Sequence, residues 1–207
     1  MDTAIEVAKI GGSLLTRGDF VPAIRHWLDA RIQMQPGGHR VLLVGGGPLV
    51  DALRQLDGST PLDESDAHWR AIELMQIAGR IVGSWLPEWT AVESYDKLRR
   101  RTSQPGISLF FSEAFLLSTE PELPGRTLPT GWHVTSDSIA ARLAICLGAR
   151  RLLLLKSRGA TPGERSHWDQ AVAGGLVDAF FPHLAGLLPE VCFETLPDGG
   201  GDLSSIR

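Results

Sequence analysis

The sequence predicts an α/β fold: an open, mainly parallel central sheet sandwiched by helices in three αβα layers. Three observations carry this. The runs Val41-Leu42-Leu43-Val44 and Leu152-Leu153-Leu154-Leu155 have no polar alternation, as in strands buried on both faces. Strand and helix signals follow one another in short order in both halves of the chain, which favours parallel strands joined by crossover helices. The 207 residues, 43% hydrophobic and 21% charged, are enough for one core without a disulfide or metal staple.

The first strand reads Ile5-Glu6-Val7-Ala8-Lys9-Ile10 and breaks at Gly11-Gly12-Ser13. A helix follows over Val21 to Gln35, with Ile24, Trp27, Leu28 and Ile32 on one face, and Pro36-Gly37-Gly38 ends it. The strand Val41 to Val44 breaks at Gly45-Gly46-Gly47-Pro48 and opens a helix with Leu49, Leu53 and Leu56. A loop over Asp57 to Pro61 leads to a long helix from Asp63 to Trp85. Its acidic first turn suits the positive end of the helix dipole, and Ile72, Met75, Gly79 and Val82 form its apolar stripe. Thr90 to Glu93 and Ile107 to Phe111 are further strands, and Pro121, Pro124, Gly125 and Pro129 mark a connecting seam. Thr135-Ser136 caps a helix from Asp137 to Leu147, ended by Gly148. Leu152 to Leu155 then runs into Lys156. A Gly/Pro loop, a helix around Gly175 to Leu188 and a strand near Val191 to Thr195 complete the domain, with a frayed tail from Gly199.

Charge and cysteine usage exclude several classes. Twenty basic against 24 acidic residues give a net charge of −4, which argues against nucleic-acid and anionic-membrane partners. Arg99-Arg100-Arg101 reads as a solvated patch. Cys146 and Cys192 form neither a zinc motif nor a disulfide framework, so a reducing cytoplasm is the expected compartment. No signal peptide or membrane span is expected, and no metal-ligand motif occurs. Only Lys9, Lys97 and Lys156 are lysines; the other 17 cations are arginines. A position that keeps lysine points to a need for a compact ammonium, although base composition also favours arginine.

Chemistry concentrates where strands meet loops. Lys9-Ile10-Gly11-Gly12-Ser13, Val44-Gly45-Gly46-Gly47-Pro48 and Leu155-Lys156-Ser157 all fall at the carboxyl edge of a parallel sheet, where ligands bind. Consecutive glycines let backbone N–H groups approach an anion, and the following helix dipole favours negative charge. Two glycine loops and two lysines describe a site for several phosphates, though neither a P-loop nor the dinucleotide fingerprint is present. Asp137 is either a helix-dipole acid or the carboxylate that holds the lysines. His68-Trp69 is either core packing or part of a pocket.

Together, Val7 to Leu14, Val44 to Pro48, Thr135 to Ala141 and Leu152 to Lys156 resemble the amino acid kinase superfamily. His68 to Ile72, Leu128 to Asp137 and Leu176-Val177-Asp178 further resemble its branch that phosphorylates aminomethylfuranmethyl phosphate in methanofuran-type, one-carbon cofactor biosynthesis. The resemblance implies one amino acid kinase-like domain over residues 1–207, with an acceptor lobe over 1–125 and a nucleotide lobe over 126–207. It implies ATP as donor, Mg2+ on its phosphates, a phosphorylated small-molecule acceptor and a homodimer or larger assembly, with the Asp63 to Trp85 helix as interface.

The implied roles follow position by position. Lys9 neutralises the transferring phosphoryl group, and Gly11, Gly12 and Ser13 contact ATP. Gly45, Gly46 and Gly47 hold the acceptor's phosphate. Asp137 orients the lysines, and Lys156 sits on the nucleotide side with Ser157 and Gly159. Asp51, His68, Trp69, Trp132 and Thr135 line the acceptor pocket, with an aromatic face for a furan ring. Two departures stand out: Ser157-Arg158-Gly159 replaces an Asp-Gly pair, and His133 stands where an acid is expected. Alternatives are a non-catalytic nucleotide binder on the same fold, or a kinase for a nucleoside monophosphate or isopentenyl phosphate.

Overall fold

The computed structural model describes residues 3–197. Six strands form one sheet: β1 (Ile5–Ile10), β2 (His39–Val44), β3 (Thr90–Val92), β4 (Gly106–Phe110), β5 (Arg151–Lys156) and β6 (Val191–Thr195). Their spatial order is β3-β4-β2-β1-β5-β6, and every neighbouring pair is parallel. From β1 the chain lays β2 alongside, goes to the edge strand β3, returns to insert β4 between β3 and β2, then crosses to the other side of β1 with β5 and β6. The topological switch therefore falls at β1, and the crevice beyond its carboxyl end is where such sheets bind ligands.

Side-chain parity sorts the central strands between two cores. Val7, Val41, Leu43, Leu152 and Leu154 point to one face, where they pack with α5 (Ser136–Leu147). Ala8, Ile10, Leu42, Val44, Leu153 and Leu155 point to the other, against α1 (Phe20–Met34). Lys9 shares parity with Val7, and Lys156 with Leu154, so both lysines leave the sheet on the α5 face. α3 (Glu64–Trp85) contributes to both cores, with Ile72 and Met75 on the first and Ala78 and Val82 on the second. Its N-cap is Asp63, which accepts from the Ser65 amide at 2.9 Å.

Three expectations change. The helix beginning at Pro48, α2, runs through the supposed loop to Ser59, and Leu56 on its expected apolar face is 68% exposed; only Val50 is buried. The segment after β3 holds an extra helix, α4 (Tyr95–Arg101), capped by Ser94, whose last turn is the arginine run. The region after β5 is α6 (Pro162–Ser166) and α7 (Trp168–Ala173), and the helix placed at 175–188 reduces to one turn, α8 (Pro182–Ala185). Gly175 sits at φ +65, which breaks the helix, and Pro182 restarts it at its first position. The proline-rich seam is tied to α5. The Arg142 side chain, 1% exposed, pairs with Glu120 at 2.7 Å and donates to the carbonyls of Leu123 and Pro124. The tail from Gly199 lies outside the described residues. Among the described residues no helix is long and apolar enough to cross a membrane.

Candidate phosphate-binding active site

The three carboxyl-end loops meet because the strands before them are neighbours. The ladder continues one residue past each strand end: Gly11 N–H donates to Leu155 O, and Gly45 N–H to Ile10 O, both at 2.9 Å. Beyond that point the glycine loops interlock. A Cβ on Gly12 would collide with the Gly47 backbone, and a Cβ on Gly47, at φ +52, with that of Gly12. Glycine is required here by contact as well as by conformation. The close packing leaves a surface of bare amides at the start of α2, a 12-residue helix whose N-cap is Gly47 and whose first helical residue is Pro48.

Asp137, in the first turn of α5, stands between the two lysines. Lys9 Nζ lies 3.2 Å from its Oδ1, and Lys156 Nζ lies 2.8 Å from both Oδ1 and Oδ2. The three side chains are only 8%, 13% and 7% exposed for Lys9, Lys156 and Asp137. Burial alone raises the Asp137 carboxyl, but Lys9 and Lys156 outweigh it and hold the acid below its ordinary range. Burial, and then the Lys9 charge, push Lys156 down to about 8 against the pull of Asp137. The trio carries a net positive charge that one carboxylate shares between two ammonium groups, an arrangement suited to receiving more negative charge.

A cavity of about 360 Å3 opens on this trio. Lys9, Gly12, Ser13, Gly45, Gly46, Gly47, Asp51, His68, Trp132, Thr135, Asp137 and Lys156 all line it, so twelve expected site residues converge. Gly11, Trp69, Ser157 and Gly159 do not. Gly11 is buried in the ladder, and Trp69 packs edge-on against His68 at 5.2 Å within the core. Ser157 and Gly159 are exposed on the loop beyond β5. That loop is pinned by Arg158, whose guanidinium bonds Glu164 at 2.9 and 2.7 Å and Gly174 O at 2.7 Å. Arg158 holds the Glu164 carboxyl down to about 2, and the same carboxylate closes a capping box with Thr161 at the start of α6.

One end of the cavity is apolar, walled by Ile72 and Met75 of α3 and by Trp132. The indole is held in place: Nε1 donates to Asp57 at 2.9 Å, and the Arg54 guanidinium stacks over the ring at 5.1 Å. Arg54 also pairs with Asp51 at 3.0 Å, and both are exposed. His68 is buried, its Nδ1 3.2 Å from Gly131 N, and burial lowers its pKa, so the imidazole is neutral at pH 7.

Asp178 is the residue absent from the expected site set. It accepts from Thr135 N at 2.9 Å and Oγ1 at 2.8 Å, from Ser138 N at 3.0 Å and from the amides of Phe180 and Phe181. It thus locks the first turn of α5, which carries Asp137, to the 178–181 turn, and its charge supports the ammonium form of Lys156. The polar run Thr135-Ser136-Asp137-Ser138 signals a cap; its partner 40 residues on enters the sequence resemblance only within Leu176-Val177-Asp178, with no role attached. Among the described residues no group of three or more His, Cys, Asp or Glu side chains is placed to hold a metal.

Fold and site together define an α/β protein with glycine loops and two carboxylate-paired lysines at the carboxyl edge of a parallel sheet. Solved structures share this fold. UMP kinase from Ureaplasma parvum matches with a TM-score of 0.62 and 15% identity over 94% of this chain and 90% of that one. Uridylate kinase from Archaeoglobus fulgidus matches at 0.61 and 16%, over 94% and 92%. Aspartate kinase from Synechocystis matches at 0.63 and 14%, over 94% of this chain but 39% of that one. The chain shares the fold of these kinases. No family model matches it. Among curated proteins, the [5-(aminomethyl)furan-3-yl]methyl phosphate kinase of Methanocaldococcus jannaschii is 23% identical over 154 residues, 72% of this chain; the match spans 64% of that relative's length.

Proposed function

We propose that this protein is an ATP-dependent phosphotransferase whose acceptor is itself a phosphate monoester, of the aminomethylfuranmethyl phosphate type. The observation that carries the reading is Lys9 and Lys156 sharing Asp137 beside two interlocked glycine loops. A phosphate monoester, with a second pKa near 6, is largely dianionic at pH 7 and needs no strong general base. The barrier is repulsion between donor and acceptor, and a pre-organised set of ammonium groups and amides lowers it.

In this reading Gly45 to Gly47 and the start of α2 hold the acceptor's phosphate, and Trp132, Met75 and Ile72 receive its ring. Gly12 and Ser13 meet the donor's phosphates, with residues 126–207 supplying the nucleotide lobe. Lys9 tracks the phosphoryl group in flight, Lys156 neutralises the donor side, and Asp137 keeps the two ammonium groups apart and oriented. The two ammonium groups and the glycine loops lining the cavity fit the phosphates of a magnesium nucleotide; bound there, the ion would offset phosphate charge. The curated relative's printed acceptor supports the furan reading, and the fixed indole wall gives it a physical basis. The exposed Ile77, Ile81 and Trp85 on α3, spaced at i, i+4 and i+8, support a homodimer through that helix.

The test is ADP release from ATP with a panel of acceptors: aminomethylfuranmethyl phosphate, uridine monophosphate and isopentenyl phosphate. The furan phosphate is expected to give the highest kcat/KM. Preference for either other acceptor refutes the furan assignment. ATP binding in calorimetry without turnover on any acceptor refutes the enzyme and favours a non-catalytic binder.

A further inference from the structure

A second cationic cluster lies at the opposite edge of the sheet. β2 begins at His39 and β4 at Gly106, so this edge is about 20 Å from the catalytic end, six residues of strand at roughly 3.3 Å each. A cavity of about 220 Å3 is lined there by His39, Lys97, Arg100, Arg101, Gln104 and Pro105. It contains three cations and no carboxylate. Among the described residues, none of the three forms an ion pair.

Basic residues in the last turn of a helix complement its dipole, and for the exposed Lys97 and Arg100 that is explanation enough. Arg101 differs. It is half-buried and turned into the fold, where Nε donates to Ser108 Oγ at 3.3 Å and Nη2 to Thr90 Oγ1 at 3.0 Å. Behind Ser108 lies His39, 1% exposed, with Nε2 2.9 Å from Ser108 Oγ and Nδ1 2.7 Å from Gln104 O. A carbonyl only accepts, so Nδ1 carries the proton. Nε2 then accepts from the Ser108 hydroxyl, whose oxygen is free to accept from Arg101. Buried imidazole and hydroxyl thus form a polarised chain that ends on a guanidinium with no counter-charge. Nη1 has no protein partner among the described residues.

We propose that this cavity binds a small oxyanion of the phosphate class, gripped by the Arg101 fork with Lys97 and Arg100 at the rim. A guanidinium presents paired donors that match phosphate oxygens, and here it is oriented before the ligand arrives. The cavity is smaller than the roughly 300–1,000 Å3 typical of pockets for drug-sized ligands, so it suits free phosphate or the phosphate end of a larger metabolite. The site stands on its own geometry and is independent of the proposed catalytic activity.

The experiment is a phosphate titration of the full chain at constant ionic strength, followed by NMR of 15N-labelled histidine side chains, of which there are six residues. His39 reports this cavity and His68 the catalytic one. His39 is expected to shift saturably with millimolar phosphate, and Arg101→Gln to weaken that response at least about tenfold while leaving the His68 curve unchanged. No saturable His39 shift up to about 20 mM phosphate overturns the proposal, as does an equal response to chloride or a shift that survives Arg101→Gln. If Arg101→Gln does not fold, the exposed Lys97→Gln/Arg100→Gln variant decides: several-fold weaker binding supports the site, and unchanged affinity overturns it. Glycerol 3-phosphate in a second arm separates the sources, since tighter binding than inorganic phosphate identifies a phosphorylated metabolite and the reverse identifies free phosphate.

Discussion

Asp137→Asn removes the charge that two lysines share while keeping the side chain's size. Lys9 and Lys156 lie 3.2 and 2.8 Å from it, and all three side chains are buried enough that solvent screens little. Lys156 already stands at about 8 against an ordinary 10.5, a penalty on its charged form of about 3 kcal/mol. Without the carboxylate both ammonium groups lose their counter-charge, and removing one partner of a buried pair typically costs about 3–5 kcal/mol. At about 2–4 °C per kcal/mol for a domain of this size, the unliganded variant is expected to melt about 10 °C lower at pH 7.

The pH dependence has a definite sign. A base whose pKa is lower in the folded chain than in the unfolded one leaves the unfolded state holding more protons between the two values, so stability rises with pH across that window. The window opens at about 8 for Lys156 in the natural protein and starts lower in the variant, so the variant's deficit shrinks from pH 7 to pH 9. ATP supplies the missing negative charge and is expected to raise the variant's melting temperature more than the parent's. Scanning calorimetry from pH 6 to 9, with and without ATP, reads all three effects. A variant melting within about 2 °C of the parent at pH 7, or a deficit that grows with pH, refutes the reasoning.

The same geometry makes other claims measurable by steady-state kinetics. Lys9→Ala is expected to lower kcat by about 10²–10³-fold with the circular dichroism spectrum unchanged, as for loss of one pre-organised charge-stabilising group; full activity excludes its role. Gly47→Ala forces a Cβ into the Gly12 backbone and strains a φ of +52, so acceptor turnover collapses and the melting temperature falls. Because Lys156 must be protonated to neutralise phosphate, kcat/KM in the parent is expected to fall above pH about 8, and the limb in kcat to lie higher once phosphates occupy the site. Trp132→Ala is expected to raise KM for a ring-bearing acceptor with little change in KM for ATP.

The fold was legible because its central strands are uniformly apolar and punctuated by glycine. Burial on both faces leaves that pattern, and β1, β2 and β5 appear close to their expected bounds. Regions where short-range signals compete with tertiary contacts were harder to read. The helix expected over Gly175 to Leu188 shrinks to the single turn that Pro182 starts, and α7 occupies the expected loop, whereas Gly58 was not enough to stop α2, which runs to Ser59. In the site, the lysines and glycine loops were visible because strand-end position carries the chemistry. Trp69 was misassigned because adjacent helical residues face different directions, so His68 lines the cavity while its neighbour packs beside it. Asp178 was visible only as part of Leu176-Val177-Asp178, and its role comes from contacts 40 and 43 residues away, which that segment alone does not disclose.

The lysine count allows a direct measurement on the cluster. With only three lysines in the chain, 13C labelling at Cε gives three signals. Addition of a non-hydrolysable ATP analogue is predicted to move the Lys156 titration upward from about 8 by at least about one pH unit and to perturb the Lys9 signal. An analogue that binds while the Lys9 and Lys156 signals stay unchanged would contradict the account.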